Sequence, residues 1–167
     1  KYHPETLRLF LISSHYRSPI DFSVKSLEDA EKVILRFYET LENAESLVDG
    51  YDVSLEQIKD HPFLAKCEKA MNDDFNTAVV VAHLNEESRG INSECSSINS
   101  GSGDKKNLAV RIAAFKVAGG LLGLLSSSLK NIKREIFNIK QIELGLDVER
   151  IKCLINDRNQ ARKDRNW

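Results

Sequence analysis

The sequence predicts an all-α protein: an antiparallel helical bundle with a short helical lead-in segment before it and the start of a C-terminal module after it. Three observations predict this. Apolar residues recur at spacings of three and four through most of the 167 residues. Capping residues, prolines and glycines punctuate the ends of these stretches. No stretch alternates apolar and polar residues with the period of two that a half-buried strand requires.

The elements follow in order. Pro4 suits the first turn of a helix, where its missing N–H is no loss, and the apolar run behind it predicts a helix over 4–14. Ser23 reads as the N-cap of a second helix. Its apolar stripe is Leu27, Ala30, Ile34, Phe37, Leu41, Ala44 and Val48, with Gly50 as its left-handed end. A third helix starts at His61-Pro62 and carries Phe63, Leu64, Cys67, Ala70 and Met71. The polar run from Asn72 to Asn76 breaks it and offers caps for a fourth helix, Thr77 to Asn92, with Val80, Val81, Leu84 and Ile91 inward. Residues 93–106, rich in Ser, Gly, Asn and Lys without periodicity, read as a flexible loop. A fifth helix is predicted from Lys106 to Leu125, with Leu108, Ile112, Phe115, Gly119 and Leu122 on one stripe. Gly119, Gly120 and Gly123 would each weaken an isolated helix by roughly 1 kcal/mol relative to Ala, and close approach of a neighbouring helix is the expected compensation. Ser126-Ser127-Ser128 closes the unit. From 129 to 146 the isoleucines at 132, 136, 139 and 142 recur, but Gly145 and mixed polarity leave the element undefined. Asp147 reads as the N-cap of a last helix carrying Val148, Ile151, Leu154 and Ile155. The organisation expected is a lead-in over 1–23, a bundle over 24–128, and a linker with a truncated module over 129–167.

Composition narrows the function classes. With 41% hydrophobic and 29% charged residues the chain is in the range of globular proteins. A net charge of −1 confines any nucleic-acid surface to a local patch. Cys67, Cys95 and Cys153 lie far apart, with no CxxC and no Cys/His pair at ligand spacing. That argues against a disulfide framework and against a zinc site, and makes a reducing cytoplasm the simplest location. No apolar run approaches the roughly 20 residues that cross a bilayer. The first residues, without Met or a polar lead-in, read as the middle of a longer chain.

Few residues carry chemistry. His15-Tyr16-Arg17 is either a polar corner that holds phosphate or a neighbouring domain, or a structural turn in which Arg17 bonds backbone carbonyls and Tyr16 buries its ring. On the residues alone the structural turn is favoured. Asp73 and Asp74 form a carboxylate pair, accounted for as caps and helix-dipole partners. His3, His15, His61 and His83 show no metal spacing, and no nucleophile elbow or phosphate-binding glycine loop is present. From Arg150 to Trp167 six basic residues (Arg150, Lys152, Arg158, Arg162, Lys163, Arg165) outnumber two acidic ones, Asp157 and Asp164, giving a local net charge of +4. Arg158, Arg162 and Arg165 share a helix face, as a phosphate-tracking stripe would, though an ordinary solvated face accounts for them as well. No catalytic constellation emerges.

Five motifs in order resemble one family. Tyr2-His3-Pro4-Glu5 through Ser23, Met71-Asn72-Asp73-Asp74-Phe75-Asn76-Thr77, the looser Arg89-Gly90-Ile91-Asn92, Gly120 to Leu125, and Ile151 to Trp167 together resemble the part of bacterial-type cysteinyl-tRNA synthetases that follows their KMSKS loop. Asn72 replaces an Asp of that pattern. The resemblance implies a class I aminoacyl-tRNA synthetase represented by its C-terminal part. The segment 1–23 would be a stem-contact region, with Glu5-Thr6-Leu7-Arg8 in the place of the DALR signature. The bundle would be a DALR-type, anticodon-binding-like helical domain, and the tail the start of the anticodon module. Arg8, His15, Tyr16, Arg17, Arg158, Arg162, Lys163, Arg165 and Trp167 would contact tRNA or a neighbouring domain. The partners implied are tRNA-Cys and the family's catalytic domain, in a cytoplasmic monomer. No cofactor is expected in this segment. ATP and Zn2+ would belong to the catalytic domain, and the segment alone would be inactive. Two other readings are carried: the helical domain of a related ATP-dependent cysteine ligase acting on an amino sugar, and a non-catalytic helical interaction domain. The tail motif argues against the first.

Overall fold

The computed structural model describes residues 2–145 and 147–164 and contains eight helices and no strand among them. They are α1 (Pro4–Ile12), α2 (Val24–Glu45), α3 (Leu55–Ile58), α4 (Pro62–Asn72), α5 (Thr77–Asn99), α6 (Lys105–Leu121), α7 (Leu129–Leu144) and α8 (Val148–Lys163). α2, α5 and α6 form the centre, α1 and α7 cover α2, and α4 packs on α5 and α6. The all-α bundle is therefore as the periodicity predicts.

The stripe of α2 is the inner face of the protein: Leu27, Ala30, Ile34, Phe37, Leu41 and Ala44 are all buried. Ser23 and Ser26 close a reciprocal capping box at its start. Its end differs from expectation. The helix stops at Glu45, and Val48 and the left-handed Gly50 lie in the following turn. Phe37 meets Phe115 edge to face at 5.4 Å between ring centroids, and Phe63 stacks on Phe115 at 6.5 Å. Three helices thereby share one aromatic centre. Leu9 of α1 and Leu129, Ile132 and Ile136 of α7 join the same core.

Two expectations are corrected at the α5–α6 hairpin. α5 runs seven residues past Asn92, and the connection is only residues 100–104. Ile91, Cys95 and Ile98 continue the inward stripe, with Ile91 and Cys95 buried. The hydroxyls of Ser96 and Ser97 bond back to the carbonyls of Asn92 and Ser93 at 3.1 and 3.2 Å, so these serines are accommodated within the helix. α6 also ends early, at Leu121. Gly119 makes its close approach to the returning chain: a Cβ there would sit 2.5 Å from Leu125 Cδ1. Gly120 has nothing within 4 Å of such an atom.

The undefined stretch 129–146 contains α7, capped by Ser128 and ended by left-handed Gly145. Asp147 caps α8 as expected, accepting from the Arg150 N–H at 3.0 Å. α3, with a capping box of Ser54 and Gln57, is too short to leave a periodic signal.

Polar groups set the register between layers. Thr40 and Ser88 hydroxyls bond at 2.9 Å, and the Asn92 amide donates to Thr40 at 3.0 Å, pinning α2 to α5. Burial pushes the Cys67 thiol up to about 11, aided by the charge of Glu87, and burial raises Cys95 as well. Cys153 is exposed. A thiol reagent at neutral pH should therefore modify Cys153 quickly, and Cys67 and Cys95 roughly 100-fold more slowly until the protein is denatured. Three equally fast thiols would contradict this packing.

Candidate nucleic-acid interface

The lead-in helix α1 is held by three ties along its length. The Nδ1 of His3 accepts from the Glu5 N–H at 3.2 Å, which places the ring proton on Nε2, 2.9 Å from Glu135 of α7. Glu5 is buried, and its carboxylate accepts from the Tyr38 hydroxyl at 3.0 Å, the Leu125 and Ser126 N–H groups at 3.0 and 3.2 Å, and the Ser126 hydroxyl at 2.6 Å. Arg8 Nη1 donates to the Gly123 carbonyl, and the Arg8 side chain lies along the α6–α7 turn. Glu5 and Arg8 therefore both face that turn, while Leu7 and Leu11 face out, together with Ile20 and Phe22 from the following linker.

His15, Tyr16 and Arg17 converge on one carboxylate, Asp74. The Tyr16 hydroxyl donates to Asp74 Oδ1 at 2.8 Å, Arg17 Nη1 pairs with Oδ2 at 2.8 Å, and His15 Nε2 lies 3.8 Å from Oδ2. The His15 ring stacks on Tyr16 at 4.9 Å, and the Arg17 guanidinium sits 5.3 Å from the Tyr16 centroid. The bond to Asp74 raises the Tyr16 phenol above its ordinary value.

This corrects two expectations. Tyr16 is not buried, being 58% exposed as a residue, and Arg17 bonds a carboxylate, not backbone carbonyls. Nor is Asp74 a cap: Asn76 caps α5, accepting from the Val79 N–H, while Asp74 and Phe75 both hold left-handed backbones at φ 57° and 52°. Such conformations are strained for non-glycine residues, and the three partners of Asp74 help hold the turn. Asp74→Ala should lower the Tyr16 titration midpoint in UV absorbance and speed amide exchange across residues 15–18. An unchanged midpoint would show that the cluster holds itself without Asp74.

The tail residues stand apart. α8 has no buried residue, so its basic and apolar faces both meet solvent. Arg158, Arg162 and Lys163 are exposed, and among the described residues Arg158 makes only a long contact to Asn159 at 3.4 Å. Ile151, Leu154 and Ile155 are exposed on the same helix. The sequence-stated candidates Arg165 and Trp167 lie outside the described residues. The structure thus gathers Arg8 onto the α6–α7 turn and His15, Tyr16 and Arg17 onto the α4–α5 turn, and places Arg158, Arg162 and Lys163 on a separate helix. Among the described residues no group of three or more His, Cys, Asp or Glu could hold a metal ion, and no helix is long and apolar enough to cross a membrane.

Sequence reasoning missed the ion pairs between helices, among them one that joins α5 to α6. Arg111 Nε of α6 donates to Glu87 of α5 at 2.7 Å. The available signal was Gly90, a helix-interior glycine beside that pair.

Residues 66–126, from within α4 to the turn after α6, match the DALR domain family. The whole chain is similar to proteins described as cysteine–tRNA ligases. That of Geobacter metallireducens is 34% identical over 174 residues, covering 100% of this chain and 36% of the relative. That of Azotobacter vinelandii is 35% identical over 168 residues, covering 100% and 32%, and that of Neisseria meningitidis serogroup A is 35% identical over 167 residues, covering 100% and 21%. The chain therefore spans about a third or less of the length of these relatives. Similarity to cysteine–tRNA ligases thus runs along the entire chain, and its central residues match the DALR domain family.

Proposed function

We propose that this chain is the tRNA-docking helical part of a cysteine–tRNA ligase, positioning tRNA-Cys for ATP-dependent cysteinylation by the catalytic part of such an enzyme. One observation carries the reading: similarity to cysteine–tRNA ligases runs from end to end of the chain and includes the DALR domain. The segment 1–23 serves as the seam to the catalytic part. Its Arg8 and its His15-Tyr16-Arg17 cluster are fixed by bundle residues, and its apolar side chains Leu7, Leu11, Ile20 and Phe22 remain open to a neighbour. Residues 24–128 form the docking scaffold. Residues 129–167 carry the stripe of Arg158, Arg162 and Arg165, with Lys163 and Trp167, toward the RNA. ATP and zinc chemistry belong to the catalytic part, in a monomeric cytoplasmic enzyme, and the chain alone is inactive. The relatives are tRNA ligases, which does not favour the amino-sugar reading.

Binding of tRNA-Cys across a salt series tests the docking role. Affinity should fall with rising salt, with a log–log slope near −0.8 for each phosphate neutralised, approximately. A flat salt response would sink it. Cysteine-dependent ATP–pyrophosphate exchange by the chain alone would show that chemistry has been assigned to the wrong part.

A further inference from the structure

We propose that the cleft between α4, α5 and α6 binds the phosphate ester of a nucleotide, with Arg111 as its principal donor. The first observation is Gly90. A glycine inside a helix destabilises it by about 1 kcal/mol relative to Ala. Here a Cβ would lie 2.0 Å from Arg111 Nη2 and 3.0 Å from its Cζ, so the missing side chain is what lets the guanidinium lie across α5. The second is Glu87, one turn before Gly90. It takes the Nε–H at 2.7 Å, and the two side chains are only 21% and 12% exposed, for Arg111 and Glu87 respectively. Glu87 thereby fixes the guanidinium by one edge. The Nη groups have no protein acceptor among the described residues, and they border the cleft. A planar guanidinium held by Nε and open at its Nη pair is the fork that phosphate oxygens accept from.

The rest of the cleft fits the same ligand. Lys66 stands at its edge, and its nearest carboxylate, Glu86, is 4.0 Å away. The first turn of α4, His61-Pro62-Phe63, contributes the positive end of a helix dipole. The opposing charges are Glu87, already committed to Arg111, and Glu86, exposed at the rim between Lys66 and His83 at 3.8 Å. The cleft has a volume of about 450 Å³, within the usual range of small-molecule sites. It has room beyond a phosphate for a sugar and base. The imidazoles of His61 and His83 and the amide of Asn107 provide stacking faces and a hydrogen-bonding edge for these. The phosphate ester could belong to a free nucleotide or to RNA. In the second case the site rests on the docking role above and deepens it.

The test is an NMR titration of the isotope-labelled chain with AMP, and separately with a short single-stranded RNA, following the Gly90 amide and the Arg111 Nε–H. Saturable shifts of both signals are expected with at least one probe. Lys66→Ala should weaken that binding about threefold, and Arg111→Gln about tenfold. Should Arg111→Gln fail to fold, because Glu87 is left unpaired, Lys66→Ala decides, since that side chain is 58% exposed and carries no core packing. RNA binding displaced by AMP identifies an RNA phosphate. Saturation by AMP alone identifies a free-nucleotide site. Absence of saturable shifts with both probes, or affinities unchanged in both variants, overturns the proposal. In that event tRNA binding with a normal salt slope leaves the docking role standing; conversely, AMP binding that weakens in both variants, beside a flat tRNA salt slope, sinks the docking role alone.

Discussion

Glu5→Ala is expected to destabilise the fold by about 3–5 kcal/mol, the largest effect of any single polar substitution in the lead-in helix. The Glu5 carboxylate is the acceptor for the Tyr38 hydroxyl, the Leu125 and Ser126 N–H groups and the Ser126 hydroxyl. Removing it strands the buried Tyr38 hydroxyl and three part-buried donors at once, and each unmet buried donor costs roughly 1–3 kcal/mol. For a chain of this size each kcal/mol lowers the melting temperature by about 2–4 °C, so a fall near 10 °C should appear in a thermal melt. Glu5→Gln keeps the shape but turns an amide N–H₂ toward these donors, and should lose about 2 kcal/mol. A loss under about 1 kcal/mol in both variants would mean that water replaces the carboxylate.

The same hub has an alkaline signature. Burial pushes the Tyr38 phenol well above its ordinary value, and the charge of Glu5 adds to this against the Ser127 N–H, which lowers it. A group whose pKa is raised by folding contributes stability in full below its unfolded value, here about 10, and loses it as pH rises toward the folded value. Stability should decline above pH ~10, and less steeply in Tyr38→Phe than in the parent.

The contrast between what was and was not legible lies in range. The α2 stripe, the start of α4 at His61-Pro62 and the Asp147 cap are statements about residues within a few positions of one another, and periodicity and caps report them directly. The continuation of α5 through Ser96 and Ser97 was hidden by composition. Serine reads as loop until its hydroxyl bonds the carbonyl four residues back. Nothing in the local sequence marks Glu5 as a hub, because its partners at Leu125 and Ser126 are 120 and 121 residues away. Asp74 looked like a cap for the same reason: its function is defined by residues 15–17, which no local spacing connects to it. For the site itself, order of motifs carried what geometry could not. His15-Tyr16-Arg17 favours a structural turn when taken alone, and the structure does tie it to Asp74, yet it leaves the guanidinium largely exposed, available to a partner as well.

Reversing the charge of Arg158 and Arg162 together should weaken tRNA-Cys binding by tenfold or more, approximately, and flatten the log–log salt slope by about two units. The argument rests on what α8 lacks. None of its residues is buried, so the substitutions touch no core contact, and thermal stability should be unchanged within about 0.5 kcal/mol. The two side chains are one turn apart on an exposed helix and can each neutralise a phosphate. The first turn of the same helix supplies an internal control: Lys152 is paired with Glu149 at 2.9 Å, so Lys152→Ala removes a cation already partnered and should change binding less than either arginine does. If RNA affinity survives the double reversal with its salt slope intact, the phosphate contacts lie elsewhere on the chain. Among the other exposed cations of the described residues, Arg17 stands over an aromatic ring. Arg17→Ala then reports whether the lead-in segment carries that contact, because losing the arginine leaves the Tyr16–Asp74 bond to hold the turn.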